Sequence, residues 1–74
     1  MSAYIVAFTI RESGMFRDDY MVFIEDDAKG RAMDFYDSLL SREDLYCANV
    51  CSILKSTEHY EVRPARVKVN GINK

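Results

Sequence analysis

The first predicted strand is apolar on both of its faces. Residues 3–10 read Ala-Tyr-Ile-Val-Ala-Phe-Thr-Ile and contain no charged side chain. Successive side chains of a strand point to opposite faces, so Tyr4, Val6 and Phe8 share one face while Ile5 and Ala7 share the other. A strand with one face in water alternates apolar with polar residues. This pattern therefore indicates a strand that is covered on both sides.

A second apolar run, residues 20–24, predicts a second strand that forms a hairpin with the first. The polar segment between the two strands, residues 12–19, predicts a connection longer than two residues. Met15 and Phe16 are unusual in such a loop, because a solvated loop rarely contains two large apolar side chains. We expect them to fold back as a cap on the core, with a contact surface as the alternative.

A helix is predicted after the second strand. Asp26 and Asp27 are candidate N-cap residues, and their charge suits the positive end of the helix dipole. The apolar residues that follow form one stripe with a period of about 3.6 residues: Ala28, Ala32, Phe35, Tyr36, Leu39 and Leu40. We expect Phe8 and Leu39 to be buried where the first strand and the helix pack together.

The third strand is predicted to lie within residues 45–55. Its alternation places Tyr46, Ala48, Val50 and Leu54 on one face and Cys47, Asn49, Cys51 and Ile53 on the other. A turn is expected at residues 56–59, and Pro64 excludes a central strand at its position. Residues 66–69 alternate and predict a short edge strand at the C-terminal end.

These elements predict an α+β fold of ββαβ type, with a three-stranded antiparallel or mixed sheet in the order 2-1-3 and one helix on one face. A right-handed crossover through the helix brings the third strand back parallel to the second and beside the first. We expect residues 1–62 to form a single domain and residues 63–74 to form a basic tail. One helix covers only one face of the sheet, so the other face needs the tail, a second copy of the chain or another protein. A homodimer is therefore expected, or else a tail or protein partner on that face.

Charge is distributed unevenly along the chain. The formal net charge is −2, from 10 basic and 12 acidic residues. All the acidic residues lie within residues 1–62, whereas residues 63–74 contain Arg63, Arg66, Lys68 and Lys74 and no acidic residue. This basic segment either lies on the acidic body or contacts nucleic acid or an acidic partner. Nucleic acid is the less favoured partner, because its binding depends on many phosphate contacts at cellular salt concentrations.

Candidate chemical residues are few. On a strand Cys47 and Cys51 lie roughly 13 Å apart, at about 3.3 Å per residue, which is too far for a disulfide or for one metal ion. His59 has no evident partner and is expected to be a turn residue. We therefore expect buried structural thiols and no catalytic residue, metal or cofactor. The apolar run at residues 3–10 is far shorter than the roughly 20 residues of a membrane-spanning helix, so a cytoplasmic protein without membrane contact is expected.

The arrangement of the chain resembles that of small bacteriophage proteins. The resemblance covers residues 3–60: two strands, a helix with the spacing A-x3-A-x2-FY-x2-LL, and a strand that runs into Lys-Ser-Thr-Glu-His-Tyr at residues 55–60. Phage proteins of this size and arrangement include inhibitors of host RNA polymerase and antitoxin-like proteins. The resemblance thus implies binding to a host protein, and no binding residue is carried over. A looser similarity is to ferredoxin-like dimers that include small ribonucleases, whose first strand ends in an acidic residue rather than in Arg11-Glu12.

Three functions follow from these observations. The favoured one is a non-enzymatic protein-binding module of phage type that binds or inhibits a host protein, with Met15, Phe16, Asp18 and Asp19 as candidate contact residues. The first alternative is a nucleic-acid-associated protein that uses Arg63, Arg66 and Lys68. The second alternative is a small ferredoxin-like dimeric enzyme such as a ribonuclease.

Overall fold

The structure is a computed structural model that describes residues 3–55 and 60–69. Its elements are β1 (Ala3–Glu12), β2 (Met15–Ile24), α1 (Ala28–Leu40), β3 (Leu45–Lys55) and β4 (Tyr60–Val69). The strands form one antiparallel sheet in the order β2-β1-β3-β4, and α1 packs on one face of it. The predicted α+β fold and the strand order 2-1-3 are confirmed, with a fourth strand added at the C-terminal edge.

Strand β1 lies in the interior of the sheet, as the uncharged run at residues 3–10 predicts. It is antiparallel to both β2 and β3, so those two strands run parallel to each other on either side of it. Val6 and Ile10 of β1 are buried beneath α1, together with Ala48 and Val50 of β3. The core therefore lies between the helix and the middle of the sheet.

Helix α1 buries most of the predicted apolar stripe. Tyr36 and Leu39 are in the core, and Phe35 packs edge-on against Phe8 with the ring centroids 5.8 Å apart. Phe8 is half-buried rather than buried. Leu40, which the sequence places in the stripe, is 37% exposed. That prediction is wrong because Leu40 lies about 100° round the helix from Leu39 and points away from the sheet.

The start of α1 differs from the predicted cap. Asp27 is the N-cap residue, but its backbone is left-handed with φ of 56° and its side chain makes no capping hydrogen bond. The Asp27 carboxylate lies instead against Gly30, where it occupies the position that a Cβ would take. Arg31 holds the loop before the helix by donating to the carbonyl oxygens of Asp26 at 3.0 Å and Ile24 at 2.8 Å. Gly30 therefore leaves room for the Asp27 carboxylate, which would have to turn aside if residue 30 carried a Cβ.

The connection between β1 and β2 is shorter than predicted. Ser13 and Gly14 alone form the turn, with φ of 53° and 79°. Positive φ at both central residues is typical of the two-residue turns that match the twist of a hairpin. β2 therefore begins at Met15, and the predicted long loop is wrong. Asp18 and Asp19 lie within β2, which accommodates their charge because it is an edge strand.

Strand β4 forms the other edge of the sheet, beside β3. The edge strand predicted at residues 66–69 is confirmed, and it begins earlier, at Tyr60. Pro64 lies in this strand, where an edge position tolerates its missing N–H. The pairing with β3 shifts at this point and leaves Ala65 as an extra residue of a β-bulge. β4 therefore continues past residue 62, the predicted boundary between the domain and the basic tail. The predicted turn at residues 56–59 lies outside the described residues, as do residues 70–74.

Candidate binding surface

The open face is the side of the sheet that points away from α1. Directly paired residues of antiparallel strands share a face, so Ile5 lies beside Val22 and Ala7 lies beside Tyr20 on it. Its described side chains are, by strand, Ala3, Ile5, Ala7, Thr9 and Arg11 of β1, Phe16, Asp18, Tyr20, Val22 and Ile24 of β2, Tyr46, Cys47, Asn49, Cys51 and Ile53 of β3, and Val67 of β4. Among these, only Arg11 and Asp18 carry a charge.

Large apolar side chains of the open face are exposed. Tyr20 is 62% exposed, Phe16 56%, Ile24 55% and Val67 61%. Burying a large apolar side chain is worth about 1.5–3 kcal/mol, and contiguous exposed apolar patches on soluble proteins mark contact sites. The sequence predicts that this face needs cover, and no described residue supplies it.

A shallow groove crosses the open face between β2 and β3. Its volume is about 470 Å³, and Ile5, Ala7, Tyr20 and Cys47 are among its lining residues. Asp18 also borders it, with one carboxylate oxygen accepting a hydrogen bond from the Thr9 hydroxyl at 2.6 Å. The lining is mainly apolar and includes Asp18 and Asp19 of β2, so the groove suits an apolar side chain from another molecule.

An aromatic and arginine cluster lies at the hairpin end of the open face. The ring centroids of Phe16 and Tyr46 are 4.6 Å apart. The guanidinium carbon of Arg11 lies 5.5 Å from the Phe16 centroid and 5.7 Å from the Tyr46 centroid. Arginine and tyrosine are enriched among residues that dominate interface energies, and stacked side chains lose little further freedom on binding.

Tyr46 reaches this cluster through a β-bulge. The sequence places Tyr46 on the same face as Ala48, but the pairing of β1 with β3 shifts between Thr9 and Ile10. Cys47 pairs with Thr9 and Leu45 with Ile10, so Tyr46 is the extra residue of the bulge and contacts Phe16 on the open face. The predicted side for Tyr46 is wrong, because a bulge interrupts strict alternation.

The four candidate contact residues of β2 are divided between its two sides. Phe16 and Asp18 lie on the open face, whereas Met15 and Asp19 lie on the side of α1. Met15 is 71% exposed and Phe16 packs on Tyr46, so the predicted cap on the core is wrong. The two-residue turn keeps both residues in the strand and away from the core. Asp18 and Asp19 likewise lie within β2, not in the predicted connection between the strands.

The edges of the sheet are protected, in contrast to its open face. On β2, the carboxylate of Asp19 accepts the backbone N–H of Tyr20 at 2.8 Å, and Arg31 donates to the carbonyl oxygen of Ile24. On β4, Pro64 and the bulge interrupt the row of backbone groups that another strand would pair with. These are devices by which proteins prevent edge-to-edge pairing. The exposed feature of the sheet is therefore its face.

The candidate basic residues lie on β4. Arg66 Nη1 lies 2.8 Å from Asp37 Oδ1 of α1, and the Arg66 guanidinium carbon is 5.5 Å from the Tyr36 ring centroid. Arg63 and Lys68 lie on the same side of the strand as Arg66, next to Ser52 and Ala48 of β3. This arrangement corresponds to the alternative in which the basic segment lies on the acidic body.

The thiols of Cys47 and Cys51 lie apart from Asp44, a carboxyl group whose pKa is lowered. Cys47 and Cys51 are free and half-buried rather than buried, and Cys51 donates to the Asn49 amide oxygen at 3.5 Å. Arg42 donates two hydrogen bonds of 2.8 Å to Asp44 in the turn after α1, which holds the pKa of that carboxyl below its usual value. Within residues 3–55 and 60–69, no group of three metal-ligating side chains is found. His59 lies outside those ranges.

None of the described helices is long and apolar enough to cross a membrane. Comparisons of the chain with protein-family models, curated proteins and solved structures find no match. The open face is therefore the feature from which a function is inferred.

Proposed function

We propose that this protein is a small non-enzymatic protein-binding module whose contact surface is the open face. The observation that carries the proposal is the exposure of Tyr20, Val22 and Ile24 side by side on a face that no described residue covers. Apolar side chains that stay in water contribute nothing to the stability of a lone domain, and contact with another protein removes this apolar surface from water.

The size of the open face supports a protein partner. Each strand has about ten residues, and at about 3.3 Å per residue and about 4.8 Å between strands the face measures roughly 33 by 19 Å. The product of these two lengths is roughly 600 Å², without the additional area of the side chains that protrude from the sheet. This area approaches the roughly 800 Å² per partner of a standard protein interface. A groove open along its length also suits a protein surface better than an enclosed small ligand.

The resemblance to small phage proteins implies which kind of partner the module binds, namely a host protein. A module of this kind acts by occupying a surface of a host protein, and inhibition follows when that surface is needed by the host. The basic strand supports the nucleic-acid alternative less well, because Arg66 is already paired with Asp37. Nucleic acid and a small ferredoxin-like dimeric enzyme such as a ribonuclease remain the alternatives, and the following experiment distinguishes contact with protein from contact with nucleic acid.

Site-specific photo-cross-linking tests the proposal. A benzophenone amino acid replaces Tyr20 on the open face or, as a matched control, Met21 on the opposite side of the same strand. We expect illumination in cells to give a discrete protein adduct from position 20 and none from position 21. Equal adducts from both positions, no adduct at all, or an adduct to nucleic acid would contradict the proposal.

A second pair of variants links the adduct to the open face. Val22 and Met21 are 46% and 45% exposed and adjacent in β2, but they lie on opposite faces. With the cross-linker at position 20, we expect Val22→Asp to abolish the adduct and Met21→Asp to leave it. Both variants must retain the circular dichroism spectrum of the parent protein. An adduct that survives Val22→Asp shows that the contact lies elsewhere.

A further inference from the structure

We propose that the occupant of the open face is a second copy of this chain, packed face to face so that Arg11 of each copy pairs with Asp18 of the other. This inference rests on the proposed function, because it names the partner of the same surface. It is carried by the charges of the open face and by the symmetry that those charges permit.

The two charged side chains described on the open face, Arg11 and Asp18, have no charged partner among the described residues. No ion pair to Arg11 or to Asp18 is formed among residues 3–55 and 60–69. The Arg11 guanidinium stacks on two aromatic rings and donates no side-chain hydrogen bond to the described residues, and among the same residues Asp18 accepts only the Thr9 hydroxyl, through one oxygen. An interface that buries them must pair both, because an unpaired buried charge is strongly unfavourable. The occupant must therefore present a carboxylate and a cation together.

A second copy presents that pair at the required spacing. Arg11 is paired with Phe16 and Asp18 with Thr9, so the two charged residues are diagonal neighbours on β1 and β2. In a face-to-face dimer, a two-fold axis can lie parallel to the two faces and pass midway between Arg11 and Asp18. This axis places Arg11 of one copy opposite Asp18 of the other, and the symmetry repeats the pair. Both charges are then satisfied without any other molecule. A guanidinium and a carboxylate also form the strongest class of such hydrogen bonds.

The apolar residues around this pair complete the interface. Sheets pack face to face about 10 Å apart, with side chains of the two inner faces interdigitating. Tyr20 and Phe16 of each copy would enter that layer, close to the groove beside Ile5 and Cys47. The two faces together supply roughly 1,200 Å², at the lower limit of stable interfaces. A domain of this size gains from such an assembly, because small domains bury too little surface on their own.

Charge exchange tests the pairing. Arg11→Asp places two carboxylates opposite each other in the dimer, and Asp18→Arg places two guanidinium groups opposite each other. We expect either single variant to raise the dimer dissociation constant about 100-fold, from roughly tenfold for each of the two pairs. Sedimentation equilibrium over a range of protein concentrations measures this constant. Arg17→Asp is the matched control, because Arg17 lies on the opposite side of β2 in an ion pair with Glu12 at 3.4 Å.

Recombination of the two variants separates pairing from damage to the fold. An equimolar mixture of Arg11→Asp and Asp18→Arg restores both ion pairs in a heterodimer, and the double variant restores them in a homodimer. We expect both to dimerise as the parent protein does. A single variant that is unfolded alone is expected to fold when mixed with the other, as followed by circular dichroism. Failure of both the mixture and the double variant to dimerise, beside a dimeric parent protein, overturns the Arg11–Asp18 pairing.

The outcomes distinguish this inference from the proposed function. A parent protein that stays monomeric to about 100 μM, with position 20 cross-linked to a different protein, overturns the homodimer and leaves the binding surface intact. A cross-link from position 20 to residues 70–74 of the same chain overturns both proposals. A dimer that is unaffected by both charge reversals overturns the Arg11–Asp18 pairing, and the cross-link from position 20 then still decides the proposed function. A dimer restored only by matched charges supports both.

Discussion

Substitutions at two adjacent leucines near the end of α1, Leu39 and Leu40, test how the helix is rotated about its axis relative to the sheet. Leu39 is 3% exposed and Leu40 is 37% exposed, because neighbouring helical residues point about 100° apart. Leu39→Ala removes a buried side chain and leaves a cavity beneath the helix, which costs about 2–5 kcal/mol. Leu40→Ala, on the solvent side, is expected to cost less than about 1 kcal/mol.

The size of the domain makes the first of these changes severe. At about 0.05–0.15 kcal/mol per residue, a chain of 74 residues has a free energy of unfolding of roughly 4–11 kcal/mol. Leu39→Ala therefore removes a large share of the stability. For a domain of this size each kcal/mol corresponds to about 4–8 °C in melting temperature, so a fall of at least about 8 °C is expected.

Urea unfolding followed by circular dichroism measures both variants against the parent protein. All three are compared at one protein concentration, because any self-association adds to the apparent stability. The slopes of the unfolding transitions should agree, so that differences in midpoint reflect stability. If the two variants differ by less than about 1 kcal/mol, or if Leu40→Ala costs more, α1 is rotated from the described position and the assignment of the two sheet faces fails with it.

Three further predictions concern single contacts. Gly30→Ala is expected to raise the free energy of unfolding by up to about 1 kcal/mol, because alanine favours the helix and the flexible Asp27 carboxylate can move away from the added Cβ. A loss of stability would show that this carboxylate cannot move away. Arg66→Ala is expected to cost about 1 kcal/mol or less in unfolding experiments, and less again at high salt, because the ion pair with Asp37 is exposed. Asp44→Asn is expected to lower stability at pH 7 and to match the parent protein at about pH 2. The lowered pKa of Asp44 beside Arg42 gives stability that is present above the ordinary carboxyl pKa and is lost as the pH falls through the lowered value. A constant difference in urea midpoint at both pH values would contradict that assignment.

The hydrophobic pattern by itself determined the main architecture. The first strand, with its uncharged residues 3–10, is an interior strand, the third strand lies within the predicted residues 45–55, and the helix presents Ala32, Tyr36 and Leu39 to the sheet. These features follow from local rules, because burial on two faces, a period of two and a period of about 3.6 each leave a direct trace in the residue order. The need for cover on the open face was visible in the same way.

The position of β2 depended on the fold rather than on the composition. Residues 15–19 contain charged side chains in the manner of a loop, yet they form an edge strand in which charge is tolerated. A two-residue turn at Ser13 and Gly14 fixes the register, and the register decides that Phe16 and Asp18 share the open face while Met15 and Asp19 do not. Edge strands and loops have similar compositions, so the sequence alone does not separate them.

The candidate site depended on tertiary contacts more strongly than the fold did. The bulge in β3 turns Tyr46 to the open face, where it meets Phe16 and Arg11, and no local pattern marks that shift in pairing. Arg11 lies at the end of an apolar strand and gives no signal of its own until β2 brings Asp18 beside it. Local sequence fixes which residues are apolar and how often they recur, whereas the pairing of distant strands fixes which of them stand together on one surface.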